Sequence, residues 1–359
     1  MGFCPAGLAT GIGSLPFPEP EQALELIWEN MPVIPHWPQL PQRGREEGFI
    51  FQFLTPLVKK GVLKIDAERA FFNPADPEWV THLTEFYTLY LQAQEGDQQA
   101  LEEFAFPREA ARGFYAFAEQ VRNQGVKNAL YLKGQLTGPL TIGFQLKDEE
   151  GRPAYYNEQL RDLCVKTLAL HARWQAFRLL ELGCPAIIFV DDPAIRVYGQ
   201  FGFITVTKEM IAVALGEVVQ AIHQAGTLAG LHSCDAVDWS ILLESELDIV
   251  NLDAYNFGES LFPYAREIKA FLERGGTLAW GIVPTSEKAW EENEVSLRER
   301  LISLWNDLEK RGVQRDLLKN QSLITPACGT GLLTMELARQ IYRLSRAVSE
   351  AFRGTTKCI

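Results

Sequence analysis

Histidine, cysteine and methionine are scarce, at five, six and four residues in a chain of 359. The cysteines stand at 4, 164, 184, 234, 328 and 358, too few and too scattered for a disulfide framework, which points to a reducing compartment. Positive charge is also in deficit: 34 Lys and Arg against 46 Asp and Glu give a net charge of −12. A general attraction to nucleic acid or to anionic membrane surfaces is therefore not expected. No stretch reaches the about 18 uninterrupted apolar residues of a membrane-spanning helix. The start, MGFCPAGLATGIGS, lacks a basic segment followed by an apolar one, so the chain reads as a soluble cytoplasmic protein. Neither GIGS nor LTGP extends to a dinucleotide-binding G-x-G-x-x-G, and there is no P-loop and no G-x-S-x-G nucleophile elbow.

What is present is ordinary globular composition, 47% hydrophobic and 22% charged. Short apolar runs that end in Gly, Pro, Asp or His alternate with longer segments of helical spacing, the pattern of parallel strands joined by crossover helices. Eight such runs can be counted: 8–14 (LATGIGS), 32–36 (PVIPH), 129–134 (ALYLKG), 186–191 (AIIFVD), 227–232 (TLAGLH), 248–253 (DIVNLD), 277–283 (TLAWGIV) and 322–326 (SLITP). Eight is the number that closes a parallel barrel, so the expected fold is α/β, a single (β/α)8 TIM barrel over residues 1–359. The span between the second and third runs is too long for one crossover, so 41–128 reads as a helical insertion. Helices are expected at 23–29, 77–94, 108–123, 158–182, 208–224, 261–274, 295–310 and 332–352, with Asp76 and Thr207 as N-caps. The competing architecture is two open-sheet α/β domains divided near residue 200.

In a barrel the carboxyl ends of the strands form one face, and that face carries the chemistry. His232-Ser233-Cys234 follows the fifth run, with imidazole and thiol two residues apart and so on one side of an extended segment. Cys328, in TPACG, arrives from the last run. One nitrogen and two sulfurs suit Zn²⁺ and leave a position open for a substrate. The bland reading is three unrelated buried side chains, the role assigned to Cys164 and Cys184; Cys4 and Cys358 lie near the ends. Asp253, at the end of the sixth run, is a tentative fourth ligand or a supporting group. In Asp191-Asp192-Pro193 the two carboxylates point to opposite sides. Asp191 is the one that can face the pocket and bind an ammonium group, leaving Asp192 to cap a turn. Glu46 and Glu47, in the insertion, read as a solvated turn or as reaching the pocket.

Together GIGSLP, LTGPLT, VDDPAI, LHSC and TPACG, in that order, resemble cobalamin-independent methionine synthase and its shorter relatives. That family lies within the superfamily of uroporphyrinogen decarboxylase and the zinc-dependent methylcobamide methyltransferases. The likeness runs over most of the chain and is weakest in 41–128. It implies His232, Cys234 and Cys328 as zinc ligands, Asp253 where the synthase has a Glu ligand, Ser14 as a contact to homocysteine, and Asp191 as the acid that holds its amino group. The implied activity is methyl transfer from a methylcorrinoid, free or on a partner protein, or from methyltetrahydrofolate, to a zinc-activated thiol. Three departures stand out: the length of one barrel where the full synthase has two, Asp for Glu at 253, and no His in 281–285 where the synthase has one. The first and third tilt the expected donor toward the corrinoid. A methylcobamide:coenzyme M type transferase and a non-catalytic corrinoid- or metal-binding partner are the alternatives. The decarboxylase itself is excluded, since this chain lacks its Arg-rich start and supplies thiolates.

Overall fold

The computed structural model describes residues 3–66 and 69–354. Seven of the predicted runs form one curled parallel sheet: β1 (Leu8–Ala9), β2 (Leu132–Thr137), β3 (Ala186–Asp191), β4 (Leu228–Ser233), β5 (Ile249–Leu252), β6 (Thr277–Val283) and β7 (Ser322–Pro326). From β2 to β7 each strand pairs with the next in the chain, and β1 joins at the far side of β7. This is the order of the expected barrel, but the sheet is not the closed eight-stranded ring that the sequence predicts. The predicted second strand, 32–36, is not a strand.

The reason is proline. Pro32, Pro35 and Pro38 carry no N–H to donate, so the segment cannot run a ladder. It lies between β2 and the continuation of β1 and makes single bridges, His36 with Lys133 on one side and Gln39 with Ser14 on the other. Side chains from β2 reinforce the join: Lys133 Nζ donates to the Ile12 carbonyl at 2.6 Å and Gln135 Nε2 to that of Trp37 at 3.0 Å. Beneath, Leu8, Ile34, Ile187, Phe189, Ile249, Ala279 and Leu323 fill the inside of the sheet as a separate apolar cluster.

The insertion holds helices Thr55–Lys59, Trp79–Gln94, Gln98–Glu102 and Arg112–Gln124. It is not wholly helical: strands Leu63–Ile65 and Ala70–Phe72 form a hairpin joined by Lys147–Asp148 from beyond β2. Thr207 caps its helix as expected, its hydroxyl accepting from Met210 N. Asp76 does not; it accepts from Glu78 N one turn ahead of a helix that begins at Trp79. Among the described residues no helix is long and apolar enough to cross a membrane.

Aromatic packing fastens the insertion to helix Glu158–Leu180. Phe106 lies 4.2 Å from the His171 ring and Phe114 5.2 Å from Trp174, pairs that contribute about 1 kcal/mol each beyond burial. His171 Nδ1 donates to the Phe104 carbonyl at 2.8 Å. Burial holds this imidazole near pKa 4, below its ordinary 6.5. The folded state thus resists a proton that the unfolded chain accepts, and stability present above pH 6.5 is lost as pH falls toward 4. Between pH 7 and 5 the loss from this one group is roughly 2 kcal/mol. Urea unfolding at the two pH values should show His171→Gln with a smaller drop than wild type by about that amount; equal drops would refute this origin.

Candidate metal centre

Side chains alternate along a parallel strand, so His232 on β4 shares the inner face with its register partner Asp191 on β3. Cys234 follows one residue past the end of β4, and Cys328 two residues past the end of β7. The ligand atoms of His232, Cys234 and Cys328 all lie within 4.8 Å of one another, so two strand ends distant in sequence do meet.

A fourth residue, which the sequence reading missed, settles how His232 is presented. Asn251 on β5 places Oδ1 2.5 Å from His232 Nδ1, while its Nδ2 donates to the Ala279 carbonyl at 2.7 Å and to Thr325 Oγ1 at 2.8 Å. With its nitrogen committed, the amide can only accept from the imidazole, so the His232 proton sits on Nδ1 and the lone pair on Nε2. Nε2 is buried without a hydrogen-bond partner. Such an orphaned lone pair beside two sulfurs fits a soft divalent cation, and an oriented His with a polar group behind it is the usual support of a metal ligand. The signal for Asn251 in the sequence was a lone amide in the apolar run IVNL.

The thiols differ. The adjoining Cys328 thiol, and after it the nearby His232 imidazole, hold Cys234 well below the ordinary thiol range, while the contact with Cys234 and burial push Cys328 up. One sulfur thus favours the thiolate, and the other would give up its proton on binding a cation. Cys164 and Cys184 are buried, as expected of inert thiols: burial raises Cys164 to about 12, and Cys184 donates to the Ala129 carbonyl at 3.6 Å. Cys4 is exposed, and Cys358 lies outside the described residues.

Asp253 is not brought into this cluster. It caps the short helix Ala254–Phe257, Oδ1 accepting from Asn256 N at 2.9 Å and Oδ2 from Asn256 Nδ2 at 2.7 Å. It stands near enough to feel His232 and Cys234 electrostatically, with both oxygens engaged. Asp191 behaves otherwise: it is buried, and its Oδ1 has no donor. Burial raises its pKa to about 6, against the pull of His232 and of Lys133, a fully buried cation inside ALYLKG that the sequence reading also overlooked. Asp192 turns away and binds the helix after β2.

Ser14 reaches the same rim from the other side. Its Oγ accepts from Gly331 N at 3.2 Å, and its carbonyl accepts from Thr330 N and from Thr330 Oγ1, each at 3.0 Å. A Cβ on Gly329 would lie 2.2 Å from Ser14 Oγ, so glycine after Cys328 leaves the Ser14 hydroxyl its present place. In the insertion Glu46 is exposed, whereas Glu47 is buried, accepts from Arg43 Nε at 2.7 Å and keeps Oε2 without a partner.

No protein-family model matches the chain, and no curated protein matches it. Among solved structures it is similar to a B12-independent methionine synthase from Shewanella sp. W3-18-1, determined in complex with selenomethionine. The two share 17% identity over 67% of each chain, with a TM-score of 0.47. That likeness is too distant to argue from, so what the chain does rests on its own residues.

Proposed function

We propose that the chain is a zinc-dependent S-methyltransferase that moves a methyl group to a thiol, homocysteine before others. The observation that carries this reading is the unpartnered, tautomer-fixed His232 Nε2 beside the sulfurs of Cys234 and Cys328. Zn²⁺ held by these three would act as a Lewis acid that favours the thiolate form of a substrate thiol at neutral pH.

The remaining residues bind and orient. Asp191 offers a buried oxygen that lacks a donor, which an amino group would supply. A thiol without an amino group, such as coenzyme M, leaves that oxygen unsatisfied, which favours the homocysteine reading over the coenzyme M one. The Ser14 hydroxyl, accepting from Gly331 N, still has its own proton to give to a substrate carboxylate. Residues 281–285 (GIVPT) contain no histidine to deliver a proton to folate, so a methylcorrinoid is the favoured methyl donor over methyltetrahydrofolate.

The test is a turnover matrix on zinc-assayed protein, pairing homocysteine and coenzyme M with methylcobalamin and methyltetrahydrofolate. Methionine formed from homocysteine and methylcobalamin is the expected product. A protein that carries no zinc and yields no methylated thiol in any pairing would refute the proposal.

A further inference from the structure

Gln135 is a polar residue inside the buried strand LKGQLT, 2% exposed, and only half of its amide is accounted for. Nε2 donates to the Trp37 carbonyl at 3.0 Å. That carbonyl is purely an acceptor and also faces His36 Nδ1 at 2.9 Å, so the nitrogen of the Gln135 amide must point toward it and the oxygen away. The residue is held at its backbone too: its carbonyl accepts from Gln175 Nε2 at 3.0 Å, and Gln175 Oε1 accepts from Trp37 Nε1 at 2.9 Å.

The fixed Oε1 is buried and has no donor. On the next strand Asp191, 8% exposed, likewise has Oδ1 without a donor. Register pairs Thr137 with Asp191, which makes Gln135, two residues earlier, the diagonal neighbour of Asp191 on the same inner face. Lys133 shares that face, with Nζ bonded to the Ile12 carbonyl at 2.6 Å and 4.4 Å from the centre of the Phe189 ring. Two buried acceptors left without donors on the inner face of neighbouring strands call for a ligand that brings N–H groups, and a primary ammonium brings three.

We propose that Gln135 is a specificity-determining residue whose Oε1, together with Asp191 Oδ1, accepts hydrogen bonds from the ammonium group of the thiol substrate. This rests on the reading of the site as one that takes an amino-bearing thiol. A neutral amide beside Asp191 adds a second acceptor without the repulsion of a second carboxylate.

The experiment compares homocysteine with 4-mercaptobutanoate, which differs by the missing amino group, on zinc-loaded protein. Binding is read by calorimetry and turnover as kcat/KM. Gln135→Met should weaken homocysteine by about tenfold or more and leave 4-mercaptobutanoate unchanged, so that the preference collapses. Gln135→Glu keeps an acceptor, and the bound ammonium offsets its charge against that of Asp191, so the preference should hold. Equal losses for both thiols in Gln135→Met, or a full preference kept, would overturn the role of Gln135 while the methyltransferase reading stands. A wild type that binds both thiols alike refutes the ammonium receptor. A wild type that binds neither removes the functional reading and this inference with it. Should Gln135→Met fail to fold, a lowered preference in Gln135→Glu is the overturning result.

Discussion

Replacing Cys328 with Ser is expected to cost roughly 10²–10⁴-fold in zinc affinity and to abolish methyl transfer while the fold persists. A three-residue site shares a binding free energy of about 10–16 kcal/mol among its ligands, so loss of one thiolate removes about a third of it. Cys328 lies past the end of β7 and caps no element, so the sheet does not depend on its sulfur. Chelator competition and metal content measure the effect. Asn251→Leu gives the graded comparison. It leaves all three ligands but removes the acceptor that sets the His232 proton, and losses of about 10–100-fold are typical of such supporting groups. Undiminished zinc and activity in Cys328→Ser would end the proposal.

The adjacent carboxylates Asp191 and Asp192 should separate function from stability. Asp192 is fully buried and accepts from Leu140 N and Thr141 N at 2.9 Å and from Thr141 Oγ1 at 2.6 Å, tying β3 to the start of helix Pro139–Gln145. A Cβ on Gly138 would sit 2.3 Å from its carboxyl, so glycine there is what lets Asp192 approach. Burial outweighs these hydrogen bonds and leaves its pKa raised, at about 6. Asp192→Ala strands two buried N–H groups and a hydroxyl, and should lower unfolding stability by roughly 3 kcal/mol or more. Asp191→Ala removes a carboxylate oxygen that has no donor, so its stability should hold while homocysteine binding fails. Denaturant unfolding beside thiol binding reads both; a stable Asp192→Ala would contradict the structural role.

Much of this architecture was legible in the residues because period and punctuation carry it. Helix Lys208–Gln224 has the predicted bounds, since Thr207 announces its start and its apolar face repeats at helical spacing. The three candidate ligands meet because strand ends in a parallel α/β sheet share one rim. The 32–36 run misled because hydrophobicity says nothing of lost donors, and its prolines decide the matter. Asn251 and Lys133 escaped for another reason: a single polar residue inside an apolar run gives no pattern, and its meaning lies in partners far away in sequence. For Asp253 the sequence marked the strand end, but Asn256, three residues on, engages its oxygens.

The proline-bearing segment between β1 and β2 also has a mechanical meaning. From β2 round to β7 and β1 every neighbour is joined by a ladder, whereas 33–39 is held by isolated bridges, a few backbone hydrogen bonds and side-chain staples. Compliance is therefore concentrated along one seam. His232, Cys234 and Cys328 stand on the stiff arc, while Ser14 and Gln135 border the seam. A molecule pressing into the rim would part the sheet on the Ser14 and Gln135 side and leave the spacing of the three ligands undisturbed.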